Sequence, residues 1–375
     1  MGNAIRVGSL FGIPFYVDPS WFLILGLVTW TYGSILDASS GLPGVLPWLL
    51  GLVSALLLFA SVLAHELGHS LVAMRQGIGV RSITLFIFGG LASLEKESDS
   101  PGNAFWVAIA GPAVSFLLCG LLLCAMLFTE VSGALSQVIE LLASINFVLG
   151  TFNLIPGLPL DGGNILKSLI WKITGNPYSG IRIASRVGQA IGWLGIAVGA
   201  LSVLRITQFG SFWMLLIGLF LLQNAGRSAQ SATIQERLDG LTAADAVTSD
   251  SPVVSDRISL REFANDFVIG KSKWRRFLVA DAEGFFVGTL NVDDLRGVPT
   301  SNWPSVPVRE LTQPYAEKTV RSDLPLLQAI VMLEEQSQTQ LPVVRENGIL
   351  VGLLEKAAIA QLLQHDVQPA FASEA

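Results

Sequence analysis

Six apolar stretches in close succession, at about residues 21–36, 46–74, 104–128, 135–154, 187–204 and 206–223, fill the first part of this 375-residue chain and decide its solvent. A helix needs roughly 20 mostly apolar residues to cross a bilayer, and backbone inside one must satisfy its own hydrogen bonds. The expectation is therefore about six transmembrane helices. A hydrophobic content of 51 % and a mean hydropathy of +0.57 lie outside the range of an ordinary soluble enzyme. Arg6 is the only basic residue ahead of the first stretch and no small-residue cleavage site follows it, so that stretch reads as a retained helix.

Lysine and arginine near span ends favour the cytoplasmic side. Arg6, Arg75, Arg81, Lys96, Lys167, Lys172, Arg182, Arg186 and Arg227 fall on one side of the predicted spans, and Arg205 alone on the other. Both termini are thus expected in the cytoplasm. Cys119 and Cys124 share one predicted span and suggest neither a disulfide framework nor a zinc knuckle. A net charge of −6 without a basic stripe excludes nucleic acid as an expected partner.

The chemistry concentrates in His65-Glu66-Leu67-Gly68-His69, at the end of the second stretch. On a helix the two histidines lie one turn apart on one face, where two imidazoles can hold one zinc ion. Glu66 then stands beside the open coordination site, placed to take a proton from the attacking water and pass it to a leaving amine. The bland alternative is a pair of histidines satisfied by neighbouring helices. Against it, ionisable groups inside a span cost roughly 2.5 to 3.5 kcal/mol even on insertion scales, so three together need a compensating role. A catalytic zinc keeps three protein ligands and one open position. Asp161 is the best third ligand: it lies in Asn153-Leu154-Ile155-Pro156-Gly157-Leu158-Pro159-Leu160-Asp161-Gly162-Gly163, where prolines and glycines break the fourth stretch. Irregular backbone at membrane depth is tolerated only where protein or a water-filled cavity surrounds it.

Those two motifs, HELGH and NLIPGLPLDGG, in this order and separated by a hydrophobic stretch, resemble the site-2 proteases, which cut substrates within or near the bilayer. The resemblance covers about residues 8–223. It implies His65, His69 and Asp161 as ligands of one zinc ion and Glu66 as general base. The segment around Val80, Ile83, Leu85 and Ile87, leading into Phe88-Gly89-Gly90, reads as a short membrane-associated hairpin or edge strand. It either clamps an extended substrate by strand addition or merely dips toward the membrane. Asn146 and Asn153, two turns apart on the fourth stretch, could orient the scissile carbonyl or its oxyanion; for Asn146 plain helix packing is the other reading. Ala110-Gly111-Pro112 offers small residues for close helix approach. Ser115 stands where similar proteins often have asparagine, and Asp18 where histidine is frequent.

After a polar connector at 227–240 the composition turns soluble and repeats itself. Phe277, Val279, Gly284, Val287, Gly288, Leu290 and Leu295 recur as Leu341, Val343, Gly348, Val351, Gly352, Leu354 and Ile359. Two such units bury a core that neither buries alone. The tail resembles a tandem CBS-domain pair, with repeats at 241–299 and 300–363 and a tail at 364–375. That resemblance implies binding of an adenine nucleotide and regulation of the attached enzyme; simple dimerisation, a homodimer through the pair, or gating is the other reading. The expected nucleotide contacts are degraded: the first repeat offers Gly288, Asn291 and Asp294, the second Gly352, Glu355 and Ala358, so only Asp294 could meet a ribose.

The expected fold is a multi-spanning α-helical membrane domain (1–226) followed by a soluble α+β tandem CBS pair. The expected activity is that of a metalloendopeptidase hydrolysing transmembrane substrates, such as an anti-sigma factor or another membrane-tethered regulator. The alternatives are a non-enzymatic scaffold or ligand sensor with a vestigial metal site and, more distantly, a zinc transporter, which would need further polar residues along the spans.

Overall fold

Asp18 and Pro19 start the first long helix together. The Asp18 carboxylate accepts from the Ser20 N–H at 2.9 Å, and Pro19 occupies the first turn, where its missing N–H costs nothing. The hydrogen bonds with Ser20 hold the Asp18 carboxyl below its ordinary value. The computed structural model describes residues 4–87, 89–129, 132–206, 211–248, 250–270, 274–315 and 319–365. The chain divides into two compact units, Met1–Thr233 and Ile234–Ala375.

In the first unit a hairpin of β1 (Ile5–Leu10) and β2 (Ile13–Val17) leads into α1 (Pro19–Ser40) and α2 (Leu46–Arg75). A second hairpin, β3 (Val80–Phe86) and β4 (Gly89–Leu94), precedes α3 (Pro101–Phe128), α4 (Ala134–Asn153), α5 (Asp161–Thr174) and α6 (Pro177–Val203). Five of the described helices, α1, α2, α3, α4 and α6, are long and apolar enough to cross a membrane. Side chains such as Leu117, Leu121, Phe128, Trp193 and Leu194 face outward from them, as expected where lipid is the solvent.

One expectation changes here, and another falls partly outside the described residues. The sixth apolar stretch appears only as the first half of α7 (Phe212–Leu238), whose second half, from Gln223, is polar; residues 207–210 lie outside the described set. The short hairpin is half of a four-stranded sheet in the order β1-β2-β3-β4, with β2 and β3 parallel and the other pairs antiparallel. Phe88, between β3 and β4, lies outside the described residues. Ile13, Phe15 and Val17 alternate inward along β2, and Ile13 and Phe15 pack with Ile83 of β3 beneath Leu63 and Leu67 of α2. That pairing places β4 at an edge of the sheet, next to α2.

The second unit shows the repeat directly. A three-stranded sheet of β5 (Val253–Ser255), β6 (Arg276–Ala280) and β7 (Phe286–Asn291) is matched by β8 (Val320–Arg321), β9 (Gln340–Val344) and β10 (Leu350–Glu355). β6 and β7 reappear as β9 and β10 at the offset read from the residues. Helices α8 (Leu260–Phe263), α9 (Val308–Leu311), α10 (Leu326–Glu335) and α11 (Lys356–His365) complete the unit. The repeats exchange short helices. Ala243 and Ala246, ahead of the first sheet, are buried with Val320, Leu326, Leu341 and Leu354 of the second repeat. Val308 of α9 is buried with Val254, Leu260, Phe277 and Leu290 of the first. Matching backbone bonds hold each exchange, Ala243 N–H to Leu324 O and Val308 N–H to Ile258 O, both 2.8 Å. Of the expected connector, 227–240, residues 227–238 lie in the polar half of α7.

Candidate metal centre

Helical spacing turns His65 and His69 to one face of α2, and their ring centroids stand 5.0 Å apart. Asp161 begins α5 after the broken segment that follows α4, and its carboxylate reaches both rings. Oδ2 of Asp161 lies 3.0 Å from His65 Nε2 and 3.2 Å from His69 Nε2, and the two Nε2 atoms are 3.3 Å apart. Bonds of about 2.0–2.1 Å in tetrahedral geometry place zinc ligands roughly 3.3 Å from one another, so this triangle fits the ion.

Proton placement points the same way. His69 Nδ1 lies 2.6 Å from the Val107 carbonyl, which can only accept, so Nδ1 carries the proton. In the neutral ring Nε2 is then a lone pair aimed at a carboxylate and a second imidazole, a convergence that a cation relieves. Gly111 of α3 keeps the space open: a Cβ there would collide with His69 Nε2 and lie 2.7 Å from His65 Nε2.

The other expected residues separate. Glu66 and Asn153 line a cavity of about 400 Å³ together with the three converging groups, Gly90 to Ala92 of β4, and Lys167 and Trp171 of α5. Asn153 Nδ2 stands 3.4 Å from His65 Nε2. Gly90 backs directly onto Glu66, and a Cβ at that position would collide with the Glu66 side chain. Asn146 is fully buried elsewhere in the bundle, donating to Ser61 Oγ at 3.0 Å and Leu142 O at 2.8 Å, an arrangement of helix packing. In the tail, Asp294 accepts from the Asn291 N–H at 3.1 Å and the Gln313 side-chain amide at 3.4 Å, capping the turn Val292–Gly297. Two features escaped the residue-level reading. One is the ion pair of Lys167 with Glu97, 2.6 Å, on the cavity lining. The other is the contact of Ser115 with His65.

Two imidazoles and a carboxylate converging among membrane-spanning helices, with a further carboxylate beside them, define a metal-dependent hydrolase of the membrane. Residues 53–133 and 129–195 match Peptidase family M50, and residues 308–365 match the CBS domain. The chain is 58 % identical over 367 residues to "Putative zinc metalloprotease sll0528" of Synechocystis sp., covering 97 % of this chain and 96 % of that relative. It is 28 % identical over 365 residues to "Zinc metalloprotease MJ0392" of Methanocaldococcus jannaschii, covering 97 % of each. Among solved structures it is similar to the site-2 protease from Methanocaldococcus jannaschii, at 30 % identity and a TM-score of 0.45, over 60 % of this chain and 95 % of that one. The chain belongs to the M50 zinc metalloproteases, the site-2 protease family. It is an integral membrane enzyme with zinc as its cofactor and a CBS pair in its tail.

Proposed function

We propose that this protease cleaves transmembrane proteins in or beside the bilayer and so releases membrane-tethered regulators, an anti-sigma factor being one such substrate class. The observation that carries this reading is the edge strand β4, which lines the same cavity as Glu66 and the three converging groups. A transmembrane helix must unwind before it is cut, and an extended segment added along β4 would gain main-chain hydrogen bonds beside the reacting groups. His65, His69 and Asp161 hold the zinc. Bound there, zinc supplies a Lewis acid that polarises the peptide carbonyl and acidifies water. Glu66 takes the proton of the attacking water and delivers it to the leaving amine, while Asn153 orients the carbonyl.

In this reading residues 1–226 are the protease and 241–363 the regulatory pair, with both termini cytoplasmic. The basic residues support that orientation, and Lys167, one of them, lines the cavity. An adenine nucleotide would meet only the first repeat, at Asp294, and the pair would also join two copies of the chain. Cysteine labelling in intact cells tests the topology: Ser39→Cys should react with an impermeant reagent from outside and Glu283→Cys should not. Glu66→Gln tests the chemistry. Hydrolysis of a model transmembrane peptide should fall by roughly 10² to 10⁴ while zinc is retained, and near-normal turnover would remove Glu66 from its role.

A further inference from the structure

The two histidines are backed by different kinds of acceptor on the same helix. Nδ1 of His69 meets the backbone carbonyl of Val107, whereas Nδ1 of His65 meets the hydroxyl of Ser115 at 2.9 Å. Val107, Gly111 and Ser115 are four residues apart, hence on one face of α3. The two acceptors, Val107 and Ser115, stand two turns apart on α3 where His65 and His69 stand one turn apart on α2, and the order is reversed, Ser115 behind His65 and Val107 behind His69. Gly68 lets the helices approach closely: a Cβ there would lie 2.9 Å from the Ala110 carbonyl and from Val114. One face of α3 therefore forms a cradle, with an acceptor behind each ring and a glycine beneath the metal-facing nitrogens.

The backbone acceptor behind His69 persists whatever side chain occupies position 107. The acceptor behind His65 exists only because position 115 carries a hydroxyl, and Ser115 is completely buried. Resting on the metal-site reading above, we infer that Ser115 is a positioning residue for zinc: it accepts the His65 Nδ1 proton and so holds the Nε2 lone pair toward the metal. A hydroxyl both donates and accepts and is satisfied by either tautomer. The choice comes from the metal: His65 Nε2 and Asp161 Oδ2, 3.0 Å apart, would both be ligands, and a ligating Nε2 has to be a lone pair, which leaves the proton on Nδ1 and the hydroxyl as acceptor. Without Ser115 a ring facing its ligand position from one side only is free to rotate or to leave a buried N–H without a partner. Outer partners of this kind are worth about 10- to 100-fold in metal affinity.

The test uses full-length protein in detergent, carried on the Glu66→Gln background so that self-cleavage and turnover play no part. Zn(II) affinity is measured by chelator competition, and the Co(II)-substituted protein reports ligand geometry through its visible absorption. Ser115→Ala should weaken Zn(II) binding about 10- to 100-fold and change the Co(II) spectrum, in metal-free protein that remains folded by circular dichroism. Ser115→Thr, which keeps the hydroxyl, should recover most of the affinity. Wild-type Zn(II) affinity in folded Ser115→Ala overturns the proposal alone, and so does a Thr variant as weak as the Ala variant. Protein with Ser115 intact that takes up no zinc overturns the metal-site reading, and the proposal with it.

Discussion

In the tail unit the side chains hidden most completely are apolar, among them Phe263, Leu290, Leu341 and Leu354, and among the described residues only Asp256 and Thr289 are buried polar groups there. The helical unit buries apolar side chains such as Leu36 and Ile83 too, but mixes them with many more polar ones. It buries Ser54, Ser61, His65, Ser70, Ser115, Asn146, Ser168 and Ser185 while Leu117, Leu121, Leu127 and Phe128 point outward. The difference follows from the surroundings. Water drives leucine inward at about 25 cal/mol per Å², whereas a lipid tail is as apolar as leucine and leaves the interior of a bundle to small and polar residues. A metal site of charged groups is thus compatible with the inside of the membrane unit in a way it would not be with the cores of the tail.

The contrast would break most visibly at Asp161. Asp161→Ala should weaken zinc by more than the ~100-fold of an outer partner, read as zinc content of folded protein in detergent. If Asp161 only assists the N-terminus of α5, the loss is about 0.5 to 2 kcal/mol of stability and zinc stays stoichiometric. A smaller effect sharpens the packing side of the contrast. Leu354→Ala should cost about 2–5 kcal/mol, as a cavity in a watertight core does, whereas Leu121→Ala, 58 % exposed, should stay within ~0.5 kcal/mol. Pulse proteolysis in lipid nanodiscs distinguishes the two, and equal losses would contradict the division.

The smallest effect concerns acid, and it belongs to the tail. The backbone N–H of Ser259 bonds to Glu262 and that of Thr242 to Asp245, holding both carboxyls below their ordinary values of 4.5 and 3.8. Both groups are depressed in the folded chain, so the stability they contribute is present above those ordinary values and is lost as pH falls through the lower folded ones. Amide exchange across Leu260–Phe263, corrected for intrinsic rate, should therefore rise on acidification, and Glu262→Gln should flatten that rise.

The same solvent logic explains what the residues disclosed in advance. HELGH and Asp161 were legible because ionisable groups stand out against an apolar background, and the tail repeat was legible because the apolar and glycine positions of β6 and β7 recur at one offset in β9 and β10. The pairing of β2 with β3 was not, although Ile13, Phe15 and Val17 alternate with period two beside Gly12 and Pro14; the neighbour that completes the sheet is some 65 residues away in sequence. Helix sidedness was also hidden, since a leucine in a span is content against lipid or protein alike. Ser115 looked like a departure from a pattern because its meaning depends on which ring crosses it.

The exchange of short helices between the tail repeats has a consequence in time. Ala243 and Ala246 leave the ribosome long before Leu354, the β10 residue they are buried with. At roughly 5–20 residues per second, the roughly 100 intervening residues take about 5–20 s to synthesise. For that interval the first repeat's leading turn lacks part of the surface it packs on, and a newborn tail cannot close that core until its last strand arrives.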